Sequence, residues 1–395
     1  MRDAGEAEAP RADRATDILS LTPADLLEMR RSDPKPTASA HEGRQHNLAV
    51  ILRLLYQHGP KSRPELARLS GLSTPTASAL VAELVDAGTV RDLGIVAEAR
   101  VGKPAAKVDI AADHNLCIVL DLTHHGAFTG AAIDLNGAVV DRVQVDIGDA
   151  QGETAVEHAV ELANLLIERA AAQVIGIGVA SPGLVDDEGR VRVADGLRWR
   201  DVRLADVLRR RTGVPAVVGN DVNLLALGLR RFRARSGRDA VVVAIDNGVG
   251  AAVLVNGQPV LGEQFAAGEI AHLTVDPGGA PCACGRRGCL DVVVGAPHLA
   301  RSLAAEGAGI LEPAGRVLGE VLAPVLNILN INVVVVLGPP ALVDGPFARG
   351  VVDGVASRLR PTIVEGLEIE VRSGDPDLVL LGAAAAVMET QLGVH

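Results

Sequence analysis

The chain has 395 residues, of which 48 % are hydrophobic, 22 % charged and 2 % aromatic, with 43 glycines and a formal net charge of −11. This composition supports a large buried core, and it excludes wholesale disorder, collagen and coiled coil. Scarce aromatics argue against stacking on single-stranded nucleic acid; no run of about 18 uncharged apolar residues offers a membrane span.

The acidic start MRDAGEAEAPRADR lacks the apolar block of a secretory signal, so a cytoplasmic protein is expected. Charge is uneven along the chain: residues 41–107 carry 9 basic and 6 acidic side chains, and residues 108–395 carry 23 and 35. A small basic module on a large acidic body is the reading. Residues 1–40 are rich in Ala, Asp, Arg and Pro and read as a flexible extension with room for a short helix near Pro23–Arg31.

Residues 41–110 predict three helices and a β-ribbon. Leu48, Ile51, Leu54 and Leu55 recur at helical spacing before Gly59-Pro60 stops the first helix. A short helix over Arg63–Leu69 follows, then the turn Ser70-Gly71-Leu72. Ser73 suits the N-cap of a third helix, with Pro75 in its first turn and Ala79, Leu80, Leu84 and Val85 as its apolar residues. Strands are expected near Thr89–Leu93 and Ala105–Ile110, joined by Arg100-Val101-Gly102-Lys103-Pro104.

This order reads as a winged helix-turn-helix. The outward face of the third helix offers Ser73, Thr74, Thr76, Ser78 and Glu83 to a major groove. Ser62 and Arg63 stand at the start of the second helix, where phosphate contacts are made. Arg100, Gly102 and Lys103 form a basic tip suited to a narrow minor groove.

From about residue 115, short apolar runs alternate with helical stretches: CIVLDL, a helix near Glu153–Ala171, VIGIGVA, VPAVVG, AVVVAI, AAVLV and NVVVVLG. Interleaved strands and helices imply α/β domains with mixed sheets. Two βββαβα-like halves begin at Leu116 and Asp239. Asn136-Gly137 and Asn256-Gly257 mark equivalent hairpins in the two halves, as an internal duplication would leave them.

The chain has four cysteines, and three fall within eight residues: Cys282, Cys284 and Cys289. With His272 they make a Cys3His set, the donor chemistry of structural zinc. Gly285 and Gly288 let the loop turn back to deliver Cys289. Cys117, inside an apolar strand, reads as inert core.

With these motifs in view, the chain resembles the ROK family (repressors, open reading frames, kinases), and its transcriptional regulators in particular. GEIAHLTVDPGGAPCACGRRGCLD looks like the family's zinc-and-sugar motif; GIGVASPGLVD, LRWRDVRL and GNDVNLLALG resemble further family blocks. The resemblance implies an actin-like (ribonuclease H-like) two-lobed sugar-kinase fold, over residues 111–238 and 239–395, behind the winged helix-turn-helix of residues 41–110. It implies that Asn220, Asp221, Glu269, His272 and Asp291 contact sugar hydroxyls, Asp221 standing at the kinases' catalytic-base position.

Departures point away from catalysis. Where kinases of the family carry Asp-x-Gly-Gly-Thr, this chain has Asp121-Leu122-Thr123-His124-His125. The second phosphate loop is Asp246-Asn247-Gly248-Val249-Gly250, with a negative charge where phosphate should lie, and Gly338 is followed by two prolines. His124 and His125 read as a solvent-facing pair without an assigned role. The expectation is a repressor that binds double-stranded DNA as a homodimer or homotetramer, answers to a sugar or sugar phosphate, and carries structural zinc. An ATP-dependent sugar kinase with an added DNA-binding module, or a DNA-binding dimer without an effector, are the alternatives.

Overall fold

The computed structural model describes residues 40–95, 106–124, 126–233 and 239–394. Residues 1–39 of the expected extension, with the helix expected near Pro23–Arg31, and the tip residues Arg100, Gly102 and Lys103 lie outside the described residues, as does His125.

The chain opens with helices α1 (Ala40–His58), α2 (Arg63–Ser70) and α3 (Thr74–Asp86), and strands β1 (Lys61–Ser62), β2 (Val90–Ile95) and β3 (Ala106–Ile110). The strands pair in the order β1-β3-β2. Ser62 caps α2 reciprocally with Glu65, and Ser73 caps α3 by accepting the Thr76 N–H. The α3 face turned inward is Ala77, Leu80, Val81 and Leu84. Leu80 and Leu84 are buried as expected and Val85 is half-buried against the same core, whereas Ala79 is exposed and Ala77 and Val81 take its place.

A first α/β lobe follows: β4 (Asn115–Asp121), β5 (Ala127–Asp134), β6 (Val139–Asp146), α4 (Gly152–Arg169), β7 (Gln173–Ser181), β8 (Leu184–Val185), β9 (Val191–Ala194), β10 (Trp199–Val202), α5 (Leu204–Thr212), β11 (Ala216–Asn220) and α6 (Asp221–Phe232). The second holds β12 (Ala240–Ile245), β13 (Val249–Val255), β14 (Gln258–Pro259), α7 (Asp291–Val294), α8 (Ala296–Glu306), α9 (Leu311–Leu329), β15 (Val333–Gly338), α10 (Pro340–Val343), α11 (Pro346–Arg358), α12 (Pro361–Val364), β16 (Glu368–Ser373) and α13 (Leu378–Leu392).

The two large sheets run β11-β7-β4-β5-β6 and β14-β13-β12-β15-β16. Counted within each sheet, both have the strand order 3-2-1-4-5, with the first strand antiparallel to the second and parallel to the fourth. The Asn-Gly turns sit between second and third strands in both lobes. The halves are structural equivalents, as duplication requires.

Pleat explains how the lobes are filled. Along β4, Leu116, Ile118 and Leu120 join the core under α4, whereas Cys117 and Val119 face the cluster containing α13. Along β12, Val241, Val243 and Ile245 pack with α8, α9 and α11, and Val242 faces α6. Helix α6 is shared: Leu224 and Leu227 join the first lobe's core, and Val222, Ala226 and Leu229 join the second's. Helix α13 lies against α6 at two glycines. A Cβ on Gly382 would stand 1.7 Å from the Leu224 carbonyl oxygen, and one on Gly228 would stand 2.3 Å from that of Leu378.

Candidate functional site

The ends of β4, β7, β11 and β12 open onto one cleft of about 670 Å³. Its lining brings together Asn220, Asp221 and Glu269 from the expected sugar set. His272 and Asp291 do not line it. Asp291 starts α7 behind the cleft's Asp246–Gly250 loop, with a buried Oδ1 that has no hydrogen-bond partner.

Asn220 caps α6. Its Oδ1 accepts the N–H groups of Val222 and Asn223, and its Nδ2 donates to the Gly183 carbonyl and to Asp221. The amide is thus committed to the helix end, which leaves Asp221 and Glu269 as the members of the expected set whose carboxyls line the cleft. Burial pushes the Asp221 pKa up to about 7, with the charges of Asp121 and Glu269 adding to it. Burial also raises Glu269, opposed by His272.

The raised Asp221 has a stability consequence. The folded chain holds this proton up to about pH 7, whereas an unfolded chain releases it near 3.8. Stability therefore falls as pH rises between those values and stays level above them. Asp221→Asn keeps the acceptor for Asn220 and removes the penalty. Urea unfolding should show it more stable at pH 8 by about 1–2 kcal/mol, solvent access to the carboxyl reducing the effect, with no gain at pH 4. A variant no more stable than the parent at pH 8 would contradict this.

His124 and Asp246, departures from the family's kinase motifs, also line the cleft. His124 Nδ1 lies 3.5 Å from Asp121 Oδ2. The hydrogen bond to Asp121 raises its pKa against burial, and the Asp121 and Asp246 charges add to the rise. Asp121 is desolvated at the end of β4, yet hydrogen bonds from His124 and Thr123 hold its carboxyl low. Asp149, Gln151 and Phe265 complete the wall from loops with no local sequence signal.

The second centre is His272, Cys282, Cys284 and Cys289, whose donor atoms all lie within 4.8 Å of one another. Cys282 Sγ is 3.5 Å from His272 Nδ1, and Cys284 Sγ is 3.6 Å from Cys289 Sγ. A tetrahedral ion bound at about 2.0–2.3 Å needs donors about 3.3–3.8 Å apart, so the set fits a metal. The Arg286 backbone N–H and guanidinium draw the Cys284 thiol down to about 6, toward the thiolate that binds metal. Cys117, by contrast, is fully buried, and burial pushes its thiol up to about 12.

The third surface is α3. Ser73, Thr74 and Thr76 are exposed on its N-terminal turn, and Ser78 is half-buried. Ser62 is 4 % exposed and its hydroxyl donates to Glu65 at 2.7 Å, so it secures α2 instead of offering a hydroxyl to phosphate. Arg63 pairs with Asp92 at 3.1 Å, tying α2 to the ribbon. Behind this module, the Arg231 guanidinium at the end of α6 lies 4.3 Å over the Tyr56 ring of α1 and donates to the Val394 carbonyl at 2.8 Å. Arg53 of α1 donates to the Gly393 carbonyl at 3.2 Å.

Among the described residues, no helix is long and apolar enough to cross a membrane. A model of the ROK family matches residues 124–390, and one of the MarR family matches residues 46–92. The DNA-binding transcriptional dual regulator NagC of Escherichia coli (strain K12) is 27 % identical over 333 residues, 75 % of this chain and 80 % of its own. A glucokinase of Halalkalibacterium halodurans is 36 % identical over 180 residues, 43 % of this chain and 54 % of its own. Among solved structures, a ROK family transcriptional regulator homologous to the E. coli MLC protein matches with a TM-score of 0.78. It covers 89 % of this chain and 97 % of its own at 22 % identity, a likeness of fold.

Proposed function

The chain belongs to the ROK family, and from that premise we propose that it is a sugar-responsive transcriptional repressor which binds its sugar without phosphorylating it. Residues 41–110 would read double-stranded DNA, as a homodimer or homotetramer, and the two lobes 111–238 and 239–395 would hold the effector.

The observation that carries this reading is the placement of α6. Its first turn, with Asn220 and Asp221, lines the cleft, and its last turn sets Arg231 on Tyr56 of the DNA-binding module. Twelve residues of helix span about 18 Å as one rigid rod. A ligand that moves the capped end moves the module end with it. It shifts DNA affinity by as much as its own affinity differs between the two arrangements.

The cleft supports binding over catalysis. Phosphoryl transfer needs donors and cations around the γ-phosphate, and at the equivalent loops this chain presents Asp246 and an Asp121-paired His124. Asp221 keeps the base position without that apparatus. At the Cys3His cluster we assign structural zinc: four protein donors cross-link the loop and leave no position for a bound water.

Fluorescence anisotropy on DNA from upstream of the protein's own gene, at fixed salt, tests the reading. Tight, sequence-selective binding that a sugar releases is expected. Absence of selective binding, or sugar-dependent ADP release abolished by Asp221→Asn, would overturn it. Arg231→Met keeps the aliphatic stem and removes the cation from Tyr56. It should bind both sugar and DNA while losing most of the release; full release in this variant would remove α6 from the coupling.

A further inference from the structure

The repressor reading leaves open whether the effector carries a phosphate, and this inference rests on that reading. We propose that the cleft admits only sugars without an anionic group, and that the effector is therefore a free sugar and not a sugar phosphate.

The lining decides the sign. Asp149, Asp221, Asp246 and Glu269 supply four carboxyls, and no Lys or Arg occurs among the described lining residues. Asp121 adds another charge just behind them, 95 % of its surface removed from water. The cationic candidate is His124, and Asp121 already pairs with it at 3.5 Å.

The helix N-termini do not rescue an anion either. A helix N-terminus is the usual phosphate cradle, and two helices begin at this cleft. At α6 the Asn220 side chain already accepts the Val222 and Asn223 N–H groups. At α4 no side chain caps the first turn, but Asp149 lines the approach and Glu153 sits in that turn.

A phosphate monoester brings a charge of roughly −1.5 to −2 at neutral pH. Placed here it meets like charge without a guanidinium or ammonium to pair with. A neutral sugar meets acceptors: carboxylates that take its hydroxyl hydrogens at defined angles, with the Phe265 ring as apolar wall.

The test is calorimetric titration of the full-length protein with matched probes: glucose, N-acetylglucosamine and mannose, each against its own 6-phosphate. For any pair that binds, the free sugar should be at least roughly tenfold tighter. Because like-charge repulsion is screened, the gap should narrow as salt rises from about 0.05 to about 0.5 M. Asp149→Asn combined with Asp246→Asn should narrow it further. A phosphate ester that binds as tightly as its parent sugar, or more tightly, overturns the inference and leaves the sugar-sensing reading standing. A gap indifferent to salt and to both substitutions overturns the electrostatic cause. No heat from any probe in either form counts against the sugar reading itself.

Discussion

Cys284→Ser is expected to strip the zinc proposed for the Cys3His cluster and set residues 269–291 loose. Cys284 is exposed, so the substitution leaves no cavity and the effect reports the ligand and not the packing. The segment contains no helix or named strand up to Leu290; besides loop hydrogen bonds such as Leu290 N–H to the Leu273 carbonyl at 2.8 Å, its pairing is two isolated bridges, Thr274 with Cys289 and Pro281 with Arg287. Glu269 stands at its head and lines the cleft. Metal content measured by plasma mass spectrometry should fall from one equivalent to near zero. Amide hydrogens across 272–291 should exchange faster, and affinity for the effector should drop by roughly tenfold as Glu269 loses its fixed position. DNA affinity without effector should hold. A variant that retains the metal, or that loses it with no change in exchange or sugar binding, would separate the cluster from the cleft.

Gly382→Val should cost the fold itself. The new side chain would begin 1.7 Å from the Leu224 carbonyl oxygen, a backbone atom in the first turn of α6, so one helix must move bodily away from the other. Both helices are packed on their remaining sides, and no small adjustment relieves the overlap. A loss of about 4 kcal/mol or more is expected, at the severe end for a point substitution, seen as insoluble expression or a melting temperature lower by roughly 10 °C. Gly374→Ala is the control: its Cβ would meet nothing within 4 Å. A Gly382→Val protein that melts with its parent would show that α13 does not sit as described.

These two regions differ in how far the sequence disclosed them. The metal set was legible because ligand chemistry is local: three cysteines in eight residues, with a histidine just upstream. Helix α3 was equally visible through the Ser73 cap, and Leu80 and Leu84 do face inward, although Ala77 and Val81 complete the stripe in place of the exposed Ala79. Helix α13 gave no such signal. Leu378–Met388 is apolar throughout and buried at every position but the half-buried Val379, and a helix without a polar face has no 3.6-residue rhythm to read. The cleft was half legible. The Asn220-Asp221 pair stands in a recognisable block, but Asp149 and Phe265 reach the same wall from loops more than a hundred residues apart, where nothing local marks them. His272 and Asp291 sit in the same motif as Glu269, and the family resemblance assigned them to a cleft whose lining does not include them.

The hydrophobic cluster beneath α1 has a bearing on how such regulators can be recombined. Ile51, Leu52 and Leu55 of α1 belong to the same continuous core as Leu380–Met388 of α13 and Val394 at the chain's end. Gly393 lies so close to Ala49 that a Cβ there would come within 2.4 Å of it. The DNA reader is thus seated on residues from the opposite end of the chain. A chimaera that borrows residues 41–110 alone inherits a reader whose seat stays behind, with apolar surface bared on both halves. The unit of exchange is discontinuous: the N-terminal module together with residues 378–394, transplanted as a matched pair.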